Sequence, residues 1–347
     1  MRVLITGGTG SIGTATTARL VAKGWDVRVI GIDPDAPQID GAEYHQCDIL
    51  NYDDVLSRTR GCDAVIHLAA IRGPGLASGS NVFQVNVAGT FNVFEAAAVC
   101  GIKRIAQASS INAAGYFYGS VEPPTHYLPM DEDHPIYTTD AYSFSKQMIE
   151  EIGTYYWRRD GISSVAMRYP GVFGEGYIES ENYLRKRATL RRVLDELVSL
   201  PEAEQQARIA DVRQRTLAYR ATRPLEYDPA NQQVRHHART QDDPLFWNYA
   251  YDRYNFWALI DDRDAALSLE LGITAEYEGA HALFVNDSHN GLGYDSRTLA
   301  RLFFPEIDPS QYTSDLAGTE SLVSILKARA LIGFAPEHSV ASLGESE

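Results

Sequence analysis

The chain is short of the features that mark several functional classes. It has three cysteines, Cys47, Cys62 and Cys100, with no CxxC pair and no metal-like spacing to histidine. They read as small buried apolar side chains of a reducing compartment rather than a disulfide frame or a zinc site. No apolar run approaches the ~20 residues that span a bilayer. The opening MRVLITGG enters a strand and a glycine turn without a signal-peptide layout, so a cytoplasmic protein is expected. Basic residues are outnumbered, 31 against 46 acidic, for a net charge of −15. That sign repels nucleic acid and anionic membranes, leaving a small molecule as the expected ligand. Neither internal repeats nor low-complexity tracts occur.

What is present is an α/β texture. The 347 residues are 44% hydrophobic, enough for a large core. Short apolar strands are expected at Arg2–Thr6, Val27–Ile32, Glu43–Cys47, Ala64–Leu68, Ile105–Ala108 and Ser164–Arg168. Helices are expected at Ser11–Lys23, about Val82–Cys100 and Ala141–Arg159. Continuous apolar strands alternating with helices predict a doubly wound parallel Rossmann sheet over residues 1–176. Residues 177–347 read as a smaller substrate region. Its charged, arginine-rich part, 179–249, is a helical insertion or lid, and 257–340 returns to α/β texture.

Two constellations carry chemistry. Thr6-Gly7-Gly8-Thr9-Gly10-Ser11-Ile12-Gly13 lies between a strand and a helix. Gly7 permits the turn, Gly10 lets backbone approach a pyrophosphate, and Gly13 lets helix and strand pack closely. The helix start, including Ser11 and Ile12, offers unpaired N–H groups to phosphate. In Tyr142-Ser143-Phe144-Ser145-Lys146, Tyr142 and Lys146 share a helical face. An ammonium beside a phenol is expected to lower the phenol's pKa toward the range of general acid/base work.

With HLAA (67–70), VNVAGTFNV (85–93), ASS (108–110) and MRYPGVFG (167–174), these motifs resemble the extended short-chain dehydrogenase/reductases, the NAD-dependent epimerase/dehydratase group. The resemblance implies a centre of Ser110, Tyr142 and Lys146. Ser110 would bond the substrate oxygen, and Lys146 would also hold the nicotinamide ribose. It further implies cofactor contacts from Asp48, Ile49, Leu68, Ala69, Ala70, Asn86 and Pro170. A homodimer is implied by analogy.

Three departures bear on cofactor and substrate. The acid expected at the end of the second strand is Gly31, and Asp33 is the nearest carboxylate; a longer strand or a bulge would deliver it to the adenine ribose. A carboxylate there favours NAD over NADP, and Arg28 is too early in the strand to welcome a 2′-phosphate. Gly171 and Trp257 stand where sugar-nucleotide epimerases carry an Asn and an Arg for the diphosphate, with Arg253 close by. Replacement ligands would be Arg185, Lys186, Arg187, Arg191 and Arg192, which read otherwise as a solvated helix face. His236-His237 reads as surface histidine, and no metal is expected. The aromatics Phe246, Trp247, Tyr249, Tyr251, Tyr254, Phe256 and Trp257 fit a pocket wall or a packing seam equally. Asp261, Asp262, Arg263 and Asp264 read as a cap and ion-pair group.

The expected activity is NAD-dependent oxidation of a secondary alcohol or lactol of a carbohydrate-like molecule. The alternatives are a sugar or nucleotide-sugar epimerase or dehydratase with tightly bound NAD, and a nucleotide sensor without turnover.

Overall fold

A computed structural model describes residues 1–35, 37–222 and 243–343, so His236-His237 lies outside the described residues. Seven strands form one parallel sheet: β1 (Arg2–Thr6), β2 (Asp26–Gly31), β3 (Ala42–Gln46), β4 (Ala64–His67), β5 (Arg104–Ala108), β6 (Ser163–Arg168) and β9 (Ala280–Phe284). Their order is β3-β2-β1-β4-β5-β6-β9. The order reverses between β1 and β4, which opens a crevice at the carboxyl ends of those strands.

Alternation along the strands explains the layers. Val3 and Ile5 on β1 pack to one face with Leu269 and Ile273 of the helix Asp262–Thr274. Leu4 packs to the other with Val93, Phe94 and Tyr156. Both faces are covered, so the central strands β1 and β4 are buried and largely apolar, whereas the edge strand β3 alternates with exposed polar residues. Helix α1 (Ser11–Ala22) lies on the first face, while α2 (Tyr52–Thr59), α4 (Gly89–Val99) and α5 (Ala141–Asp160) lie on the second. A full layer on each side buries the continuous apolar runs that made the strands legible.

The helix expected from Val82 to Cys100 is built in three parts. A short α3 (Gly79–Phe83) and a π turn (Gln84–Ala88) precede α4. The wide turn surrounds Asn86, whose side chain leaves the helix to bond Ile71 and Ser145. Wide turns of this kind concentrate at functional sites.

After β6 the chain makes a second, two-stranded parallel sheet of β7 (Gly171–Phe173) and β8 (Leu259–Asp261). Between these strands run α6 (Glu181–Val198) and α7 (Glu202–Ala221), then the turn-rich segment 244–257. Its aromatics resolve mainly as a seam: Trp257 meets Phe303 edge-on at 5.1 Å and Phe256 stacks on Phe304 at 5.4 Å. Trp247 and Tyr251 are only half-buried. Asp261 caps the helix Asp262–Thr274 and pairs with Arg263, while Asp264 accepts the N–H groups of Glu337 and His338.

Candidate active site

The glycine loop leaves β1 with Gly7 in the left-handed region at φ +68°, where a Cβ would lie 2.7 Å from the Ala69 nitrogen. At Gly13 a Cβ would lie 2.5 Å from the Gly7 carbonyl oxygen, so only glycine lets α1 approach the strand. Gly10 is different: a Cβ there meets nothing nearer than the Gly7 oxygen at 3.5 Å. The open side of Gly10 is the cradle a phosphate would fill. No side chain caps α1, whereas Asn51 caps α2 and Asp140 caps α5. The first N–H groups of α1, including those of Ser11 and Ile12, therefore remain for an anion. The Ser11 hydroxyl points to Asp262 at 3.5 Å, and the Ile12 side chain packs on the core. This donor set fits a dinucleotide pyrophosphate.

The remaining candidates line the same end of the sheet in unequal ways. Leu68, Ala69 and Ala70 are half-buried, and the N–H groups of Leu68 and Ala69 both donate to Thr6 Oγ1 at 3.2 Å. Ile49 is buried against Gly89, and Asp48 is exposed with its Oδ1 accepting the Leu50 N–H. Pro170 is half-buried between β6 and β7.

Asp33 corrects an expectation. β2 ends at Gly31 with no extension or bulge, and Asp33 lies beyond it, exposed, accepting the Asp35 N–H at 3.0 Å. The chain turns at once because Pro34 follows and an Asx-type turn forms. Arg28 is held within the protein: it bonds Glu43 across the β2–β3 pair and the Arg58 and Arg60 carbonyls.

Ser110, Tyr142 and Lys146 come together where β5 and α5 meet. Ser110 Oγ accepts from the Asn112 backbone and side-chain nitrogens at 3.1 and 3.2 Å. Asp140 caps α5 by accepting the Ser143 N–H at 2.8 Å, which fixes the first turn that carries Tyr142. The Tyr118 ring closes edge-on over Tyr142 at 5.6 Å. Lys146 Nζ donates to the Ala108 carbonyl at 2.7 Å and lies 5.9 Å from the Tyr142 ring centroid.

The electrostatics differ from the simple expectation. Burial pushes the Tyr142 phenol up to about 12, and the Ser110 hydroxyl pulls in the opposite direction. Burial pushes Lys146 down to about 8, opposed by Glu150. At Tyr142 desolvation, helped by Asp140, outweighs the pull of Ser110 and Arg72 because the ring sits in the interior, while Lys146 serves the Ala108 carbonyl. Tyr142 is thus a protonated phenol at neutral pH in this state.

Several functional positions escaped the motif reading. His67 is buried with Nδ1 2.6 Å from Thr6 Oγ1 and Nε2 2.8 Å from Thr90 Oγ1. Thr90 Oγ1 donates to the Asn86 carbonyl, so it accepts from His67. The network therefore assigns the proton to Nε2. Burial, with Lys146 nearby, pushes His67 down to about 3 and keeps it neutral. Asn86 continues the chain by donating to the Ser145 hydroxyl at 2.9 Å and exchanging hydrogen bonds with the Ile71 backbone. The glycine strand is thereby tied to the catalytic helix. Asn86 positions α5, its polar atoms already committed to protein partners. Its signal lay in the quoted motif, but the partners did not.

Glu150 lies one turn beyond Lys146. It accepts from Ser109 at 2.7 Å and from Arg168 at 3.0 and 2.8 Å.

The replacement diphosphate ligands divide. Arg253 is fully buried, bonding Glu122, Glu306 and the Phe303 carbonyl. Arg187 is buried on the Leu292 carbonyl, and Arg192 pairs with Glu196 in solvent. Arg191 is half-buried on α6, whereas Arg185 and Lys186 are exposed and border the clefts beside that helix. Gly171 borders a cavity of only about 120 Å³.

Residues 3–206 match the family described as the NAD dependent epimerase/dehydratase family. The uronate dehydrogenase of Pseudomonas putida is 31% identical over 173 residues, covering 50% of this chain and 61% of that protein. The UDP-glucose 4-epimerase of Bacillus subtilis is 30% identical over 189 residues, covering 50% and 53%. The chain thus spans little more than half the length of the curated relatives it matches. The structure of UDP-glucose 4-epimerase from Thermotoga maritima superposes with a TM-score of 0.60 at 14% identity, covering 98% of this chain and 95% of that one.

Proposed function

Because this chain belongs to the NAD dependent epimerase/dehydratase family, we propose that it is an NAD-dependent dehydrogenase acting on a secondary alcohol or lactol of a free, carbohydrate-like molecule. The observation that carries the proposal is the convergence of Ser110, Tyr142 and Lys146 beside an uncapped glycine-loop helix. Bound NAD supplies the hydride acceptor. The Ser110 hydroxyl holds the substrate oxygen, and Tyr142 receives the proton from that oxygen as the carbonyl forms. The Lys146 ammonium would stabilise the Tyr142 phenolate that accepts this proton, and would orient the ribose hydroxyls. Asp33 remains the nearest carboxylate for the adenine ribose, reached by movement of its loop rather than by a longer strand.

Free rather than nucleotide-linked substrates are favoured by the same structure. Arg253, the cation nearest the position of the expected diphosphate ligand, is committed to Glu122 and Glu306. Two-domain organisation with a division near residue 176, a cytoplasmic location and a homodimer complete the proposal. Among the described residues no helix is long and apolar enough to cross a membrane. Exposed Phe83 stacks on Phe144, and exposed Phe91 on Tyr155, along α3, α4 and α5. An apolar stripe of this kind suits a second copy of the chain.

The test is to denature the purified protein, identify any released nucleotide, and follow NADH with a panel of free and UDP-linked sugars. Sugar-dependent net NADH supports the dehydrogenase. Tightly held NAD with UDP-sugar conversion and no net NADH identifies an epimerase instead. Cofactor binding with no turnover identifies a sensor.

A further inference from the structure

Arg220 ties the insertion to the loop beside the catalytic tyrosine. It lies in the last turn of α7 with its side chain fully buried. Its guanidinium donates to the carbonyls of Phe117 at 3.1 Å, Tyr118 at 3.3 Å and Val121 at 2.8 Å, and lies 4.2 Å from the Tyr254 ring centroid. Withdrawing a cation from water is costly, and carbonyls on one short stretch offset that cost only while the stretch keeps one shape. The other side of the stretch is equally confined. Gly119 stands in the left-handed region at φ +94°, where a Cβ would collide with Thr139 Oγ1, directly before the Asp140 that caps α5.

What this clamp holds is Tyr118. Its ring meets the Tyr142 ring edge-on, with centroids 5.6 Å apart and planes at 86°. Its hydroxyl reaches the loop after β4, 3.5 Å from where a Cβ on Gly73 would stand. Tyr118 therefore spans from the β5–α5 connection to the β4 loop, across the carboxyl end of the sheet, with Tyr142 against its ring. Ser110, Tyr142 and Lys146 are only 6%, 7% and 4% exposed, whereas Tyr118 is half-buried. A substrate oxygen that reaches the three brings the rest of its molecule against the side chains around them, of which Tyr118 is in direct ring contact with Tyr142.

We propose that Tyr118 forms a wall of the substrate site against Tyr142, and that Arg220 is the positioning residue through which the insertion sets that wall. The inference rests on the dehydrogenase reading and deepens it. A free sugar carries hydroxyls around its edge and C–H bonds on its faces. With its reacting oxygen on Tyr142 and Ser110, a C–H face packs on the Tyr118 ring, which loses little freedom because its loop is already held. Such packing is made before and during hydride transfer alike, so it acts on KM rather than on kcat. Arg220 touches neither substrate nor reacting atoms and acts through Tyr118.

The experiment follows NADH formation from D-glucose, D-galactose, D-xylose and D-glucuronate with wild type, Tyr118→Leu, Arg220→Met and the double variant. NAD titrations and denaturant unfolding accompany the rates. Tyr118→Leu is expected to raise the KM of the best sugar ~10-fold, with kcat and the NAD dissociation constant within about threefold of wild type. Tyr118→Phe keeps the ring and should hold KM within about threefold. Arg220→Met should raise KM ~3–10-fold alone but less than about twofold in the Tyr118→Leu background, because its effect passes through a ring already removed. A merely structural role would lower stability and leave the two KM effects multiplicative, which would overturn the positioning by Arg220. Should Arg220→Met not fold, Arg220→Lys, which keeps the charge and loses the fork, is held to the same coupling. An unmoved KM in Tyr118→Leu would overturn the wall, while sugar oxidation by wild type leaves the dehydrogenase reading standing. A wild type that converts UDP-glucose and oxidises none of the free sugars would overturn both, as would cofactor binding without turnover.

Discussion

The polar chain of the glycine-loop half and the segment between β7 and β8 place polar groups inside protein by different means, although the first half also buries Lys146 and the Glu150–Arg168 pair. In the first, short side chains form a directional chain: Thr6 to His67, Thr90, the Asn86 backbone, and from the Asn86 side chain to Ser145. Each group is neutral and each hydroxyl both donates and accepts, so burial costs little. In the second, buried charge predominates. Arg253 sits among Glu122, Glu306 and the rings of Tyr254 and Phe304, while Arg220 stacks 4.2 Å over Tyr254. A neutral network fixes geometry to suit any substrate of the family chemistry. Charged groups specify partners, because a charge tolerates few wrong neighbours. On the proposed reading, chemistry belongs to the first region and substrate selection to the second.

The largest effect that would sharpen this division is at Tyr142. Tyr142→Phe removes the proton-transferring hydroxyl and leaves the buried ring, so turnover should fall ~10²–10⁴-fold with NAD affinity unchanged. Steady-state rates beside a cofactor titration read both quantities. Retained turnover would dissolve the claim that chemistry resides in the first region.

Next comes the charged network. Arg253→Met leaves Glu122 and Glu306 without their buried cation, and unfolding stability should fall by about 3 kcal/mol. Denaturant unfolding measures it. A loss below about 1 kcal/mol, the range of exposed pairs, would mean that the segment's charges are not structural. A smaller loss, about 1–2 kcal/mol, is expected for Thr90→Val, which strips His67 Nε2 of its acceptor while keeping shape. If that variant also weakens NAD binding, the polar chain transmits to the cradle, and the two regions differ in more than composition.

Legibility in the sequence follows the same division. The strands from Arg2–Thr6 to Ser164–Arg168 and the α5 helix were readable because parallel strands buried on both faces are apolar without interruption, and because Tyr142 and Lys146 share a helical face. Glycine spacing located Gly7 and Gly13, where a Cβ would clash, and Gly10, whose open side leaves room for a phosphate. What sequence could not give was the balance of burial against charge at Tyr142 and Lys146, since desolvation depends on residues distant in the chain. Asp33 was misplaced because periodicity carries a strand forward, whereas the Ile32-Asp33-Pro34 turn ends it.

The smallest effect tests the first region from within. Glu150 sits one helical turn past Lys146, held by Ser109 and by both ends of the Arg168 fork. It is the group that opposes the burial-driven fall of Lys146, which stands at about 8. Glu150→Gln removes that opposing charge and leaves Arg168 as an uncompensated cation nearby, so the Lys146 pKa must fall further. The ammonium is lost as pH rises through its pKa, and with it the support for the Tyr142 phenolate that accepts the substrate proton. The alkaline limb of kcat/KM should therefore move to lower pH by about one unit, while activity at acidic pH changes little. His67 lies beneath Lys146 but stays neutral across this range, so it contributes no second limb. In the NAD-free protein the same variant should make Lys146 more reactive toward an amine-acylating reagent at pH 7, because more of it is unprotonated. An unmoved limb with unmoved acylation would show that Glu150 serves Arg168 and Ser109 alone, and that the first region, too, contains charge placed for structure.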